Sequence, residues 1–156
     1  MSPLQQRVLA ASMAGALGMA GVLVSKLEGR SLVAYLDPVG IPTICEGVTK
    51  GVRLGQSKTP AQCDELLQRE LSIAMAGVDR NVRVHMPDTR RAALASFVYN
   101  VGEPQFASSD LVRKLNAGDV RGACAQLSRW IYAQGKVLAG LVNRRAAERE
   151  LCEVGL

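Results

Sequence analysis

The feature of this sequence that most constrains its fold is a run of 18 uncharged residues near the N-terminus, followed at once by a segment rich in turn residues. Residues 8–25 read VLAASMAGALGMAGVLVS. As an α-helix this run would be about 27 Å long, close to the roughly 30 Å hydrocarbon core of a bilayer. Ten of its residues are Ala, Gly or Ser, so the predicted driving force for membrane insertion is marginal.

Three interpretations of residues 8–25 stay open at this point. The favoured one is a weak membrane anchor: Arg7 precedes the run, so the positive-inside bias predicts a cytoplasmic N-terminus, with everything after Lys26 on the other side. The second is a cleaved signal peptide, although no A-x-A-like site closes the run before Glu28. The third is a glycine-containing core helix of a soluble protein.

Length and charge narrow the class of protein. A chain of 156 residues can form one domain with a hydrophobic core, and its low aromatic content of 4% beside abundant Ala, Leu, Val and Gly favours a helix-rich fold. The net charge of +5 suits an anionic partner such as lipid headgroups or wall polymers. No basic run interleaved with aromatic residues is present, so no nucleic-acid partner is predicted.

The cysteines are Cys45, Cys63, Cys124 and Cys152. Their spacing excludes a C-x-x-C motif, and the single His85 cannot complete a zinc site, so no bound metal is predicted. An even number of cysteines in an exported protein allows disulfides with three possible connectivities. Buried free thiols are the expectation for a cytosolic protein.

Turn and capping signals divide the rest of the chain into elements. Asp37-Pro38-Val39-Gly40 has the pattern of a type I turn, and it predicts a sheet of two or three antiparallel strands between residues 32 and 54. Thr59-Pro60-Ala61-Gln62 is typical of a capping box and predicts a long helix to about Arg80. Further helices are predicted at about 88–101, 108–116, 119–130 and 143–153. The predicted fold class is α+β and mostly α, with a small β-hairpin lobe, a long connecting helix, a helical C-terminal lobe and a groove between the lobes.

Glu28, Asp37 and Thr43 are the candidate catalytic residues. Two carboxylates and a hydroxyl that positions water are what bond cleavage by a general acid and a general base requires. A general acid must hold its proton at neutral pH, which partial burial beside apolar neighbours favours. Taken singly, the three residues are equally well explained as a helix end, a turn former and ordinary strand surface. Their joint order and spacing favour the catalytic interpretation.

That order resembles the active-site segment of phage-type lysozymes of glycoside hydrolase family 24. Residues 28–47 read EGRSLVAYLDPVGIPTICEG. The resemblance extends through SFVYNVG at 96–102, LNAGD at 115–119 and GLVNRR at 140–145. The uncharged N-terminus is similar to that of lambdoid endolysins with a signal-anchor-release segment, which lie inactive in the inner membrane and act once freed into the periplasm.

The resemblance implies hydrolysis of the β-1,4 bond between N-acetylmuramic acid and N-acetylglucosamine in peptidoglycan, for lysis of the host cell. Glu28 would protonate the leaving glycosidic oxygen, while Asp37 and Thr43 would hold and activate the attacking water. It implies no metal or organic cofactor. Two alternatives remain: a membrane-tethered, non-catalytic peptidoglycan-binding module, and a lytic transglycosylase.

The resemblance also implies an organisation and a location. Residues 1–27 would form the signal-anchor-release segment and residues 28–156 the lysozyme domain. The enzyme, a monomer, would be held in the host inner membrane through residues 8–25, with its catalytic domain in the periplasm, and would then be released there. Such an exported domain allows Cys45 to pair with Cys63 and Cys124 with Cys152.

Two details of the resemblance concern charged residues. Many relatives have a His or an acid at the position of Val48, whereas this chain has its acid two residues earlier, at Glu46. The cations Arg144, Arg145 and Arg149 have two interpretations. They pair with nearby acids such as Glu148 and Glu150, or they contact the anionic wall; the structural role is favoured.

Overall fold

The computed structural model describes residues 2–10 and 15–156, so residues 11–14 of the predicted apolar segment lie outside the described residues. The elements follow in chain order. They are α1 (Pro3–Ala10), α2 (Gly15–Glu28), β1 (Ser31–Leu36), β2 (Pro42–Cys45), α3 (Pro60–Asn81), α4 (Asp88–Val101), α5 (Glu103–Ala107), α6 (Asp110–Asn116), α7 (Val120–Gln126), a 3₁₀ turn (Leu127–Arg129), β3 (Tyr132–Ala133), β4 (Lys136–Val137) and α8 (Ala139–Cys152). The predicted fold class, α+β and mostly α, is confirmed.

The second helix, α2, is part of the main core. Its buried residues, Ala16, Met19, Ala20, Gly21, Leu23 and Val24, pack against α3 and α4. Small side chains permit this approach: a Cβ on Gly21 would already lie 3.5 Å from Nε2 of Gln68 on α3. In the folded protein the second half of the predicted apolar segment is therefore a core helix. Among the described residues no helix combines the length and the apolar character that crossing a bilayer requires.

The β-hairpin lobe has a small core of its own. Strands β1 and β2 pair antiparallel, with Tyr35 opposite Thr43 and Leu36 opposite Pro42. Beneath them lies a separate apolar cluster that includes no described side chain of α1 or α2. Its buried members are Ala34, Ile44, Cys45, Val48, Cys63 and Leu66. Val48 thus belongs to the core of this lobe.

Two disulfides join elements that are distant in sequence. Cys45 on β2 is bonded to Cys63 on α3, and Cys124 on α7 is bonded to Cys152 on α8. Both predicted pairings are confirmed, and the alternative of buried free thiols is wrong for the folded chain.

The long helix α3 links the two lobes, and its predicted capping box is confirmed. The Thr59 side chain accepts from the backbone N–H of Gln62, and the Gln62 side chain accepts in return from the N–H of Thr59. The neighbouring helix α4 lies at the centre of the helical lobe, where it contacts α2, α3 and α8. It ends at Gly102, whose φ of +87° favours glycine.

The structure differs from the sequence prediction near the C-terminus. The last helix begins at Ala139 rather than near residue 143, and the helix predicted to reach residue 130 ends at Gln126, before the 3₁₀ turn. The β3–β4 hairpin and α5 were not predicted. The hairpin closes through Gln134 and Gly135, both at positive φ (50° and 75°), the backbone geometry of a two-residue hairpin turn.

Candidate active site

Glu28 is the last residue of α2, and its carboxylate faces the helical lobe. Nη1 of Arg144, on α8, donates a hydrogen bond to Oε1 of Glu28. The Arg144 side chain is 6% exposed and that of Glu28 is 23% exposed. The carboxyl is therefore held by a buried cation on one side, where the sequence led us to expect apolar neighbours, and it remains accessible on the other.

The loop after β2 approaches the second oxygen of the Glu28 carboxyl closely. A Cβ on Gly47 would lie 3.0 Å from Oε2 of Glu28, and Gly47 has a φ of +82°. The positive φ favours glycine at this position, and a larger residue would press on the Glu28 carboxylate. Gly47 also lines a groove of about 260 Å³ between the lobes. The other lining residues are Val48, Thr49, Lys50, Glu70, Ile73, Ala74, Val98, Tyr99, Gly102 and Glu103. The carboxyl of Glu28 thus adjoins the groove that the sequence predicts.

Asp37 is held rigidly in the turn between the two strands. Its Oδ1 accepts from the backbone N–H groups of Val39 (2.9 Å) and Ile41 (2.8 Å), and its carbonyl accepts from the N–H of Gly40 (2.9 Å). Among the described residues Oδ2 accepts no hydrogen bond. A carboxylate oriented by backbone donors through one oxygen keeps the other oxygen available to water.

Thr43 lies on β2 and is buried, with 3% of its surface exposed. Its hydroxyl donates to the carbonyl of Ile41 (2.9 Å), so the peptide units of Ile41 connect it to Asp37. The structure therefore brings Asp37 and Thr43 together on one hairpin. Within the described part of the chain no hydrogen bond joins Glu28 to either of them.

A buried ionic network on α8 supports the Glu28 carboxyl. Glu148, with no exposed surface, accepts from Nε of Arg144 (3.2 Å), from Nη1 of Arg145 and from the Ser96 hydroxyl (2.8 Å). Burial raises the pKa of the Glu148 carboxyl, while the two guanidinium groups and the hydroxyl oppose that rise. The structural interpretation of Arg144 and Arg145 is confirmed.

The contact of Arg144 with Glu28 is the feature of the candidate site that sequence reasoning missed. The two residues are 116 positions apart, and no local pattern connects them. The signal available in the sequence was Arg144 and Arg145 followed by Glu148 at helical spacing. This pattern predicts ion pairs within α8, but it does not predict that Glu28 joins them. Arg149, by contrast, pairs with Glu153 at the surface (2.7 Å).

Tyr99 forms part of the groove wall. Its hydroxyl donates to the backbone carbonyl of Glu46 (2.7 Å). Burial, and then the negative charges of Glu28 and Glu46, raise the pKa of the Tyr99 phenol, so it remains protonated and keeps this bond. Two nearby residues have structural contacts: Asn100 accepts from Arg145, and Trp130 packs edge-on against Phe97.

Glu46 and Arg30 connect the hairpin lobe to α3. Glu46 is fully buried and accepts from Nε of Arg30, which also reaches Asp64 on α3 (2.6 Å). Arg30 follows Glu28 by two positions, and Glu46 directly precedes Gly47. The pair therefore holds the loop that contacts the Glu28 carboxyl, close to the apolar Val48. One possible metal-ligand atom of each of Cys45, Glu46 and Cys63 lies within 4.8 Å of the other two. The two sulfurs are bonded to each other, however, so these atoms do not form a metal site.

Comparison with known proteins identifies the family and the fold. The family described as phage lysozyme matches residues 25–148. The SAR-endolysin of Enterobacteria phage PA-2 is 44% identical over 156 residues, covering 96% of this chain and 94% of the relative. Among solved structures, an endolysin from Escherichia coli O157:H7 phage FAHEc1 superposes with a TM-score of 0.81 at 28% identity, covering 88% of this chain and 92% of that one. The active form of P1 phage endolysin Lyz superposes with a TM-score of 0.80 at 25% identity, covering 96% and 90%.

The chain therefore belongs to the phage lysozyme family. It is a muramidase of the endolysin type, which hydrolyses the glycan strands of peptidoglycan in phage lysis of the host. The predicted family and enzyme class are confirmed.

Proposed function

We propose that Glu28 is the general acid of this muramidase and that Asp37 and Thr43 hold and activate the attacking water. The observation that carries the proposal is the position of the Glu28 carboxyl, which is partly exposed and lies beside Gly47, one of the residues that line the groove. Asp37 supports it, because backbone donors fix Oδ1 and leave Oδ2 to water.

In this mechanism Glu28 gives its proton to the glycosidic oxygen as the bond from that oxygen to the anomeric carbon breaks. A water bound by Asp37 and Thr43 attacks the anomeric carbon from the opposite face, and its proton passes to the Asp37 carboxylate. The product is inverted at that carbon. Inversion requires the two carboxyl groups to be roughly 6.5–9.5 Å apart, which leaves room for the water.

Product analysis on purified peptidoglycan tests the mechanism. The first new reducing ends are expected as the α-anomer, by NMR, since a β-bond is hydrolysed with inversion. Asp37→Asn is expected to lower kcat about 10²-fold or more, because an amide cannot accept the proton from water.

The matched control is Asp110→Asn, which changes an exposed aspartate that pairs with Arg113 at the surface and is expected to keep full activity. β-Anomer products would contradict inversion. Anhydro-muramic ends would instead identify a lytic transglycosylase. Wall binding without any new ends from the wild type would identify a binding module.

We further propose that residues 8–25 hold the new enzyme in the host inner membrane, N-terminus in the cytoplasm, until release into the periplasm, where it acts as a monomer. Two observations support this: relatives are named SAR-endolysins, and α2 packs on the domain through small side chains that suit close helix packing in either environment.

Cell fractionation before and after collapse of the membrane potential tests the proposed tethering and release. The enzyme is expected to move from the membrane fraction to the periplasm and to gain activity as it does so. Enzyme that stays in the membrane fraction, or that is fully active while inserted, would contradict the proposal.

A further inference from the structure

The buried carboxylate of Glu46 uses only one of its two oxygens. Oε1 accepts from Nε of Arg30, whereas Oε2 has no hydrogen-bond partner among the described residues. The side chain has no exposed surface, so bulk water does not reach this oxygen. A buried acceptor without a donor raises the free energy of the state that contains it. The folded chain with both disulfides closed therefore contains an unfavourable group at this point.

Two cysteine sulfurs lie beside the Glu46 carboxylate. One of its oxygens and the Sγ atoms of Cys45 and Cys63 lie within 4.8 Å of one another. In the disulfide these sulfurs carry no proton, so neither can donate a hydrogen bond. After reduction each becomes an S–H group, which is a weak donor, and a thiol at this place can donate to the carboxylate. Reduction of the bridge thus supplies the donor that Oε2 lacks.

The backbone of Cys45 gives a second, independent reason why this bridge is readily reduced. Its φ is +56°, in the left-handed region that is unfavourable for a residue with a side chain. Two backbone hydrogen bonds between Ile44 and Val48 close the turn around Cys45, and the bond to Cys63 ties this turn to α3. Opening the bridge removes that tie and allows the turn to relax.

The second disulfide lacks both features. Cys124 and Cys152 are buried as fully as Cys45 and Cys63, and both belong to the main apolar core. Neither has a positive φ. Among the described residues no carboxylate groups with their two sulfurs as Glu46 does with the other pair. The two bridges are therefore alike in burial and differ in the two features that favour reduction.

We propose that Cys45–Cys63 is the more readily reduced of the two disulfides and that Glu46 raises its reduction potential. A dithiol supplies two electrons and two protons: the S–S bond breaks, each cysteine sulfur becomes a thiol, and the dithiol becomes a disulfide. Glu46 neither gains nor loses a proton in this step. It accepts a hydrogen bond from one of the new thiols and so stabilises the reduced form.

The chain itself connects this bridge to the candidate active site. Glu46 stands between Cys45 and Gly47, and its carbonyl accepts the hydrogen bond from Tyr99. Gly47 lies against the carboxylate of Glu28. Opening the bridge frees this loop from α3, so it is expected to lower hydrolysis severalfold. This consequence, unlike the redox property, rests on the proposed role of Glu28.

Equilibration of the full-length chain in buffers of reduced and oxidised dithiothreitol tests the redox property. Free thiols are trapped with an alkylating reagent, and each bridge is quantified by peptide mass spectrometry. Because all four sulfurs belong to buried residues, equilibrium is approached from both the oxidised and the reduced protein. In the wild type, Cys45–Cys63 is expected to open in a less reducing buffer than Cys124–Cys152.

The variant Glu46→Gln isolates the contribution of the carboxylate. Its amide carbonyl can still accept from Arg30, but no anion then lies beside the sulfurs. Cys45–Cys63 is expected to become about tenfold harder to reduce, which corresponds to a potential about 30 mV more negative. Cys124–Cys152 is expected to keep its wild-type potential.

The matched control is Asp64→Asn, which makes the same chemical change at the exposed second partner of Arg30 and keeps Glu46. It is expected to shift neither bridge. An equal shift of Cys45–Cys63 in Asp64→Asn and Glu46→Gln would assign the effect to Arg30 and overturn the proposal. No shift in Glu46→Gln, or an equal shift of both bridges, would also overturn it. If Glu46→Gln does not fold, the order in which the wild-type bridges open decides.

Hydrolysis of purified peptidoglycan tests the consequence for the active site. The rate is measured in a buffer that opens only Cys45–Cys63, and it is expected to fall and to recover on reoxidation. An unchanged rate would overturn the connection to the site. An oxidised wild type without activity would count against the proposed catalytic function, whereas the thiol-trapping result decides the redox property in either case.

Discussion

With Gln in place of Glu28, the enzyme is expected to lose lytic activity on purified peptidoglycan while it keeps its fold. An amide has no proton to give to the leaving oxygen, so kcat is expected to fall about 10²- to 10⁴-fold. The Gln carbonyl can still accept the hydrogen bond from Arg144, which leaves the buried network in place. Release of new reducing ends and co-sedimentation with the wall measure the two effects separately.

The matched control is Glu65→Gln, which makes the same chemical change at an exposed position of α3 outside the groove. It is expected to leave hydrolysis unchanged. If Glu28→Gln retained a tenth or more of the wild-type rate, another residue would have to supply the proton. If it lost wall binding and thermal stability together, the loss of activity would reflect misfolding.

Among the variants proposed here, Glu148→Ala is expected to produce the largest loss of stability, because it removes the carboxylate at the centre of the α8 network. Glu148→Ala leaves Arg144 and Arg145, with side chains 6% and 1% exposed, without their common anion. Breaking a buried pair by deleting one partner costs about 3–5 kcal/mol of unfolding free energy. For a domain of this size that corresponds to a fall in Tm of roughly 6–20 °C.

Urea and thermal unfolding measure this loss against Glu153→Ala on the same helix. Glu153 pairs with Arg149 at the surface, where the side chains are 33% and 41% exposed, so its removal is expected to cost less than about 1 kcal/mol. Similar costs for the two variants would show that the buried network contributes no more than a surface ion pair.

Much of the fold could be predicted because its signals are local. The capping box at Thr59 and Gln62 fixed the start of α3, and Gly102 marked the end of α4. The turn from Asp37 to Gly40 placed the hairpin, and with it the separation of Asp37 from Thr43. In each case the hydrogen bonds join residues that are at most five positions apart, so a short stretch of sequence contains both partners.

The remaining features depend on contacts between residues that are too far apart in the sequence for any local pattern to include both partners. Arg144 reaches Glu28 only after α8 has packed on α4, and Glu46 becomes a buried partner of Arg30 only after the hairpin lobe has closed on α3. The start of α8 was missed because Gly140 interrupts the helical pattern, yet tertiary contacts outweigh its low propensity. The proposed catalytic residues Glu28, Asp37 and Thr43 could be named from the sequence, whereas the cation Arg144, which contacts Glu28, could not.

The two disulfides make the stability of the folded chain depend on the redox state of the compartment that contains it. They close loops of 18 and 28 residues, and each such closure lowers the entropy of the unfolded chain by an amount worth about 3–4 kcal/mol. Glutathione and thioredoxin keep thiols reduced in the bacterial cytoplasm, whereas the periplasm oxidises them. On the proposed route of export, a copy that stays in the cytosol is therefore expected to lack both cross-links, and a copy that reaches the periplasm is expected to gain them.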